Sequence, residues 1–362
     1  MEGRLASVAT SGVLKPATWG KANRVFVGTF AAVLASVYVF ILVADPYGVV
    51  PFSPSFERPL TSSQRQMYPQ ILRTGRYDSI VVGTSTSRLL DPEALDRTLG
   101  GHFANLAIAA ESAWEQARII DYLPIAVTAP RAVLIGLDHE WCGRGSSSYP
   151  MARTAIREAE FPAWAYDDRR WNDFVYLLNI PTIEAAGRVV GYLLGSVKPR
   201  LRRDGFEVFV GPDSLYDPVR AHHALWQHDP PRQKNDGTEM MFPALPWLDA
   251  SLAGLPDTTR KWLVFPPPHV RALPEPGSPG AAREAECKTR IAEIARRRGA
   301  LLLDWRFVSR LTSDDTNFWD PLHYRLPVAY RLIDDLGHVV NEGRESEDGS
   351  YRILVPLTRS KG

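Results

Sequence analysis

Cysteine is scarce in this sequence, since only Cys142 and Cys287 occur among its 362 residues. Two cysteines cannot build a disulfide framework, although one bridge in an oxidising compartment and two unpaired thiols are both compatible with the sequence. The sequence also lacks a Cys-x-x-Cys pair, a His/Cys metal spacing and an internal repeat. These absences argue against a structural zinc site and a repeat architecture. We therefore expect neither a bound metal nor a cofactor.

A strong net charge of either sign is missing as well. The 42 Lys and Arg residues nearly balance the 41 Asp and Glu residues, which leaves a formal charge of +1. Without a basic stripe interleaved with aromatic residues, there is no electrostatic reason to expect a nucleic-acid partner. The apolar fraction of 45% and the charged fraction of 23% are typical of a globular protein of one large domain or two modest ones.

One long apolar run stands near the N-terminus, where residues 25–43 contain no charged side chain. At about 1.5 Å per residue, such a helix spans most of a hydrocarbon core of about 30 Å. We therefore predict a transmembrane anchor over residues 25–44. A cleaved signal peptide ending near Ala44 and a buried core helix are the alternatives, but the run is longer than a usual signal-peptide core and lacks a small-x-small cleavage site.

Basic residues precede this run and predict its orientation. Residues 1–24 contain Arg4, Lys15, Lys21 and Arg24 against the single acidic Glu2. Because cytoplasmic flanks of membrane helices are enriched in Lys and Arg, we expect this segment to be a disordered cytoplasmic tail. The chain beyond residue 45 would then lie in the periplasm or outside the cell, on a single-pass protein of the inner membrane.

The remaining chain alternates between strand-like and helix-like segments. We predict a proline-rich stalk at 45–77, ending in a helix at 64–73, and then an α/β domain at 78–340. Its predicted strands are 80–83, 103–107, 132–137, 262–265 and 301–303, and its predicted helices are 92–99, 111–122, 281–298 and 327–336. This order favours a parallel sheet with right-handed crossovers.

Two segments interrupt or follow this alternation. Residues 139–258 form a predicted insertion, with helix-like stretches at 171–178 and 182–194 that are followed by a basic turn at 198–203 and by loops rich in Pro and Asp. Residues 341–362 form a polar tail, which we expect to be loose, with an edge strand within 353–357 as its only ordered part.

A cluster of small hydroxyl residues follows the first predicted strand, in the segment Gly83-Thr84-Ser85-Thr86-Ser87. Pro92 then suits the first turn of a helix. In open α/β sheets, ligands bind where the carboxyl ends of strands turn into helices. A serine held there can attack an acyl carbon while its own N–H stabilises the oxyanion. We predict Ser85 as the nucleophile, with Ser87 as its competitor.

A second motif, Asp320-Pro-Leu-His323, lies ahead of the last predicted helix. An Asp three residues before a His can hold one ring nitrogen, which leaves the other free to accept a proton from a serine. Each motif alone is a weak signal, because surface turns produce such spacings by chance. Together they predict a triad of Ser85, His323 as general base and Asp320 as the residue that orients it.

With these two motifs the sequence resembles the SGNH/GDSL hydrolase superfamily. It is most similar to the membrane-anchored SGNH-like proteins encoded beside bacterial polysaccharide and cell-envelope genes. The resemblance covers residues 78–138 and 261–338, with Thr84 in place of the usual Asp. It implies a flavodoxin-like three-layer α/β/α sandwich, here with a helical insertion and one N-terminal transmembrane helix.

The resemblance also implies an oxyanion hole, and there this sequence departs from the family. Ala110 stands at the position of the family's glycine, whose N–H is a donor, and Asp138 stands at the position of its asparagine. An ionised Asp138 would oppose an oxyanion, so it must be protonated, turned away or used otherwise, for instance to position a sugar hydroxyl. Asn105 is an alternative amide donor, and His269, at the same predicted sheet edge, is a candidate for substrate contact.

Two functional hypotheses follow. The first is a serine O-acyltransferase or carbohydrate esterase that moves an acetyl or similar group on or off an extracytoplasmic glycan through an acyl-Ser85 intermediate. The second is a catalytically weak or inactive scaffold that binds polysaccharide or another envelope-assembly protein. The substitutions at Ala110 and Asp138 favour the second hypothesis, whereas Ser85, His323 and Asp320 favour the first.

Overall fold

The computed structural model describes residues 16–53, 56, 58–60, 64–143, 161–169, 171, 173–226 and 240–357. Within them the chain folds as a mixed α/β protein around a six-stranded sheet with the order β2-β1-β3-β4-β5-β6. The strands are β1 (Ser79–Val82), β2 (Phe103–Asn105), β3 (Ala132–Gly136), β4 (Arg260–Phe265), β5 (Leu301–Asp304) and β6 (Arg352–Val355). Strands β1 to β5 are parallel and β6 is antiparallel to β5. The predicted parallel sheet is therefore confirmed at the level of strand direction.

Helices precede, connect and follow these strands. They are α1 (Pro16–Ala44), α2 (Gln64–Arg73), α3 (Pro92–Leu99), α4 (Ala113–Ala126), α5 (His139–Cys142), α6 (Ile180–Leu193), α7 (Pro218–Trp226), α8 (Leu245–Gly254), α9 (Pro279–Arg297), α10 (Arg310–Ser313) and α11 (Leu326–Glu342). Short 3₁₀ turns lie at Ser85–Ser87 and Asp315–Asn317, among other places. The predicted ends of α2 and α3 agree with the structure, and Asp91 as N-cap with Pro92 in the first turn marks the start of α3. Helix α11 extends six residues past its predicted end.

Helices cover both faces of the sheet. Alternate residues of each strand point to opposite faces, so Ile80 and Val82 join one apolar cluster while Val81 joins the other. Helices α2, α4, α8 and α9 pack in the first cluster, and α3 and α11 pack in the second. Because both faces are buried, the carboxyl-end edge of the parallel strands is where loop side chains remain accessible.

The prediction of a stalk at 45–77 is wrong. Tyr47, Val49, Val50 and Leu60 are buried and belong to the same apolar cluster as the sheet. The proline content of this segment produces turns that pack on the domain, rather than an extended spacer. The domain therefore begins directly where α1 ends.

Helix α1 is also longer at its N-terminal side than the apolar run predicted. It begins at Pro16, so residues 16–24 are helical rather than disordered, and residues 1–15 lie outside the described part. Its stretch Trp19–Ala44 contains an 18-residue window with a mean hydropathy of 2.4, and it is long and apolar enough to cross a membrane.

The two cysteines form a disulfide between α5 and α9, with their Cα atoms 5.8 Å apart. This bond decides between the two alternatives that the sequence left open. It closes a loop with a sequence separation of 145 residues, which contains almost the whole insertion. In the chain-entropy view, such a crosslink destabilises the unfolded state by about 5 kcal/mol.

Candidate active site

Ser85 lies directly after the turn that ends β1. Gly83 adopts φ +151°, and a Cβ atom there would lie 2.4 Å from Ser87 Oγ and 3.2 Å from the carbonyl oxygen of Gly136. Only glycine fits so close an approach between two neighbouring strand ends. The turn leads into the 3₁₀ segment Ser85–Ser87, which leaves Ser85 half-buried at the carboxyl-end edge of the sheet.

The structure distinguishes the two competing serines. Ser85 Oγ lies 2.8 Å from Nε2 of His323. Ser87 is fully buried between Gly83 and Gly136, and its hydroxyl has no hydrogen-bond partner among the described residues. Ser85 therefore faces the histidine, and Ser87 fills space beneath it.

The loop Trp319–His323 organises its own carboxylate and imidazole. Asp320 Oδ1 accepts hydrogen bonds from the N–H groups of Leu322 (2.8 Å) and His323 (3.0 Å), while Oδ2 lies 2.8 Å from His323 Nδ1. Because a carboxylate accepts the Nδ1 proton, Nε2 is the nitrogen that can accept from Ser85. The side chains of Ser85, His323 and Asp320 thus form one continuous hydrogen-bonded chain.

The Asp320 carboxyl is held in its ionised form. Partial burial alone would raise its pKa, but hydrogen bonding to His323, its attraction to the imidazole and the two backbone donors outweigh burial and lower the pKa. The carboxylate therefore retains its charge well into the acidic range, where it can stabilise a protonated His323.

A second contact holds the imidazole from the side of the insertion. The Phe209 ring meets His323 edge to face, with centroids 5.4 Å apart. The Arg88 guanidinium lies over the same ring, 4.5 Å from its centroid. Arg88 is ion-paired with Glu207 of the same insertion segment. Sequence reasoning missed these three residues, because no local pattern links positions 207 and 209 to a histidine 114 or more residues away.

Asn105 does not provide an oxyanion donor. Its side-chain amide is 1% exposed and donates to the carbonyl oxygens of Ser87 and Leu90, each at 2.9 Å. Its Oδ1 accepts from the N–H of Ala107 at 3.0 Å. The Asn105 amide therefore stabilises the segment that follows Ser85. This corrects the prediction of Asn105 as an oxyanion donor.

Ala110 adopts φ +53°, a left-handed conformation that is costly for any residue with a Cβ atom. The turn at Ala110 therefore carries backbone strain that glycine at this position would avoid. Its neighbour Glu111 was not predicted as a site residue, and its fully buried carboxyl has no partner among the described residues. Burial, and then the charge of Glu115, raise the pKa of Glu111 well above its usual range.

Asp138 is buried rather than exposed. It is the N-terminal cap of α5, where its Oδ1 accepts from the N–H of Glu140 at 3.0 Å, and it is 2% exposed. Burial raises its pKa, while His139 and the Thr84 side chain oppose that rise. Thr84 lies close enough to lower the pKa, although no partner among the described residues meets Oδ2 of Asp138 in regular hydrogen-bond geometry. An exposed carboxylate that positions a sugar hydroxyl does not fit this burial.

His269 does not contact the cleft, which corrects its predicted substrate contact. Its side chain is fully buried, and its Nε2 lies 3.0 Å from Asp315 Oδ1. The same carboxylate binds His222 and the indole N–H of Trp226. We call these four residues the Asp315 cluster. Across the described part of the chain, no group of three His, Cys, Asp or Glu residues is arranged to hold a metal ion.

Comparisons with known proteins do not assign this chain to a family. No model of a protein family matches it, and no curated protein matches it. The resemblance to SGNH proteins therefore depends on the Gly83-Thr84-Ser85 and Asp320-x-x-His323 motifs and on the geometry that joins them.

Proposed function

We propose that this protein is a membrane-anchored serine acyl enzyme, which moves an acetyl or similar small acyl group on or off an extracytoplasmic glycan. The hydrogen-bonded chain Ser85–His323–Asp320, with 2.8 Å at each link, carries the proposal. An activated serine needs this arrangement of hydroxyl, base and orienting carboxylate.

The sheet supports a flavodoxin-like fold of the SGNH kind. Its parallel strands follow the order 2-1-3-4-5, the same as in flavodoxin-like sheets, which bind ligands at the β1/β3 switch point. Ser85 follows β1 and Asp138 follows β3, so both flank this point. In such a fold the antiparallel β6 is an addition to the edge of the sheet.

The reaction proceeds in two balanced steps. Ser85 Oγ attacks the acyl carbon as its proton passes to Nε2 of His323, and the proton then goes to the leaving alcohol as the donor's ester C–O bond breaks. In the second step His323 takes a proton from water or from a glycan hydroxyl, whose oxygen attacks the acyl carbon. The bond between the acyl carbon and Ser85 Oγ then breaks, and the proton passes from His323 to Oγ, which restores the serine. Asp320 holds the imidazole throughout and stabilises its protonated form.

In this proposal the backbone N–H at the Ser85 turn holds the oxyanion, and the Ala110 position is the second donor that the resemblance implies. Asp138, buried nearby, is compatible with an oxyanion when it is protonated, and its raised pKa favours that state. Loss of one donor from such a hole costs about 2.7–4 kcal/mol of transition-state stabilisation, so the charge of Asp138 affects the rate strongly.

Two features support a location outside the cytoplasm. The Cys142–Cys287 bond is typical of an oxidising compartment, and basic residues precede α1. A reporter fused after residue 60 is then active only outside the cytoplasm. Reporter activity in the cytoplasm would contradict this orientation and with it the glycan substrate.

Covalent labelling tests the nucleophile. A serine-directed phosphonate should modify the purified full-length protein at Ser85, and the modification should disappear in His323→Ala. Ser87→Ala is the matched control, because Ser87 lies two residues away with an unpartnered hydroxyl, and this variant should label normally. Labelling at Ser87, or labelling of Ser85 that does not depend on His323, contradicts the assignment.

Acetyl release to water and acetyl transfer to glycan, measured side by side, separate the enzyme from the scaffold. If both stay at background for the wild type and for Asp138→Asn, under conditions in which an active serine esterase works, the enzyme proposal fails and the scaffold hypothesis takes its place.

A further inference from the structure

Helix α6 in the insertion presents an apolar stripe to solvent. The stripe consists of Ile180, Ile183, Gly187, Val190 and Leu194, the last just beyond the helix end. Their spacing of three and four residues places them on one helix face. All five are exposed, Ile180 and Leu194 to 72% and 78%. A contiguous exposed apolar face on a globular domain normally marks an interaction surface.

The other faces of α6 have ordinary environments. Thr182, Ala185, Ala186 and Val189 are buried against the rest of the protein. Glu184 and Arg188 form a polar face next to the stripe. The helix therefore has one face in protein, one suited to water and one apolar face whose partner lies outside the domain.

The stripe lies beside the C-terminal end of α1. Ala44 packs with Ala186 and Val189 in a small apolar cluster. The Tyr38 hydroxyl donates to the carbonyl oxygen of Phe174, just before α6, at 2.8 Å. These contacts fix α6 against the last two turns of the apolar helix.

The length of α1 defines the level at which α6 lies. The charge-free run at residues 25–44 extends about 30 Å at about 1.5 Å per residue, and Lys21 and Arg24 lie before it. A hydrocarbon core is about 30 Å thick, so a membrane spanned by this run ends close to Ala44. Because Ala44 packs against α6, that helix lies at the membrane surface.

Aromatic side chains extend the same surface. The rings of Phe52, Trp171 and Phe174 cluster with centroid distances of 5.6–6.2 Å, and Trp171 and Phe52 are 71% and 59% exposed. Exposed aromatic side chains at the boundary of a membrane helix are typical of the headgroup region.

We propose that the α6 stripe and the Phe52–Trp171 cluster are embedded in the lipid leaflet nearest the α/β domain, with α6 parallel to the bilayer plane. The partner is a phospholipid surface, to which an amphipathic helix with one apolar and one charged face is suited. This second contact fixes the domain's orientation on the membrane, which α1 alone leaves free. The inference rests on the proposed spanning role of α1.

Depth measurements by spin labelling test the proposal on the full-length protein in phospholipid vesicles. Single nitroxide labels are placed on cysteines introduced by Ile183→Cys, Val190→Cys and Leu194→Cys, since the native cysteines are bonded and do not react. Glu184→Cys and Arg188→Cys are matched controls on the neighbouring face. Stripe labels should collide with oxygen dissolved in the acyl region and lose collisions with a water-soluble nickel chelate, whereas both controls should show the reverse.

A label introduced by Leu34→Cys in α1 distinguishes a failure of the stripe's lipid contact from a failure of the α1 membrane anchor. If this label is lipid-embedded while stripe and control labels are equally accessible to nickel, the stripe lies in water and this inference alone fails. If the α1 label is also in water, the membrane anchor fails as well. If stripe labels are shielded from both reagents and show spin–spin broadening that disappears on dilution with unlabelled protein, a second copy covers the stripe and the lipid contact is wrong.

Discussion

The structure contains two Asp–His groups whose aspartates, Asp315 and Asp320, lie close together in the sequence. The groups differ in the partner of the second ring nitrogen of the histidine. In the triad, Asp320 holds Nδ1 of His323 and leaves Nε2 at 2.8 Å from the Ser85 hydroxyl. In the Asp315 cluster, His269 gives Nε2 to Asp315, and its Nδ1 accepts from the N–H of Arg271 at 3.3 Å. Both ring nitrogens of His269 are thus used by the fold.

Electrostatics alone do not separate the two groups. Burial would raise the pKa of both aspartates, yet hydrogen bonds lower the pKa of Asp320 through His323 and that of Asp315 through His222, Trp226 and His269. A depressed aspartate pKa beside a histidine therefore does not identify an active site. The distinguishing feature is that one imidazole nitrogen of His323 faces a hydroxyl, on a side chain that remains 24% exposed.

Parallel Asp→Asn substitutions give the largest expected difference. Asp320→Asn turns an acceptor into a donor at His323 Nδ1 and favours the wrong tautomer, so we expect ester turnover to fall about 10⁴-fold. Asp315→Asn should leave turnover close to wild type, because its partners do not touch Ser85. Turnover with a small ester, compared between the two variants, decides the matter. An equal loss in both would place the Asp315 cluster in the reaction.

Asp138→Asn tests a carboxyl that borders the triad and has no counterpart in the Asp315 cluster. Wherever Asp138 is ionised, this change removes a buried charge and adds an amide donor, so we expect ester turnover to rise there by up to about 10²–10³-fold. The gain should shrink at acidic pH, where a protonated Asp138 can itself donate.

Asp138→Ala separates the two effects of that change. It removes the charge without supplying a donor, and should recover only part of the gain. A loss of turnover in both Asp138 variants that is largest at high pH and shrinks on acidification would show that the carboxyl is needed in its ionised form, contrary to the burial argument.

The Asp315 cluster should affect stability rather than rate. Burial lowers the pKa of His269, while Asp315 opposes that shift. The unfolded chain therefore binds more protons at this site, and the free energy of unfolding falls as the pH drops below about 6.5, the ordinary value for histidine. His269→Gln keeps a donor for Asp315, should cost about 1–2 kcal/mol at pH 7.5 and should flatten this pH dependence.

His222→Gln serves as the control, because His222 binds the same carboxylate but is 60% exposed on its side chain. Chemical denaturation at pH 5 and pH 7.5 measures both variants. The assignment fails if wild type and His269→Gln lose the same stability on acidification.

The comparison also shows which parts of the site were predictable from sequence. The Ser85 turn and the Asp320–His323 loop are local, since a glycine after an apolar strand and an Asp three residues before a His largely define their own geometry. The same locality explains why the strands and the start of α3 agree with prediction. The two motifs can meet in a triad because both lie at the carboxyl-end edge of the parallel strands.

The remaining assignments failed because long-range packing determines them. The Asn105 amide donates to carbonyl groups of the Ser87–Leu90 segment, and His269 hydrogen-bonds to Asp315, 46 residues away. Phe209 reaches His323 only because the insertion folds back over the sheet edge. No periodicity in the sequence reports such contacts, and the same limit hid the burial of Asp138 and the cysteine pairing.

Two adjacent alanines provide the smallest test. Ala110 adopts φ +53°, whereas Ala109 is not among the residues with positive φ. A left-handed alanine carries about 1–2 kcal/mol of strain, and glycine loses about 0.5–1 kcal/mol more backbone entropy on folding. Ala110→Gly should therefore raise the free energy of unfolding by up to about 1 kcal/mol, while Ala109→Gly should lower it by a similar amount. If the Ala110 N–H serves the oxyanion, the relieved turn keeps that N–H in place and ester turnover stays near wild type. Opposite signs of stability in urea denaturation support the strained turn, whereas a loss of stability in both variants would show that the φ of Ala110 carries no strain.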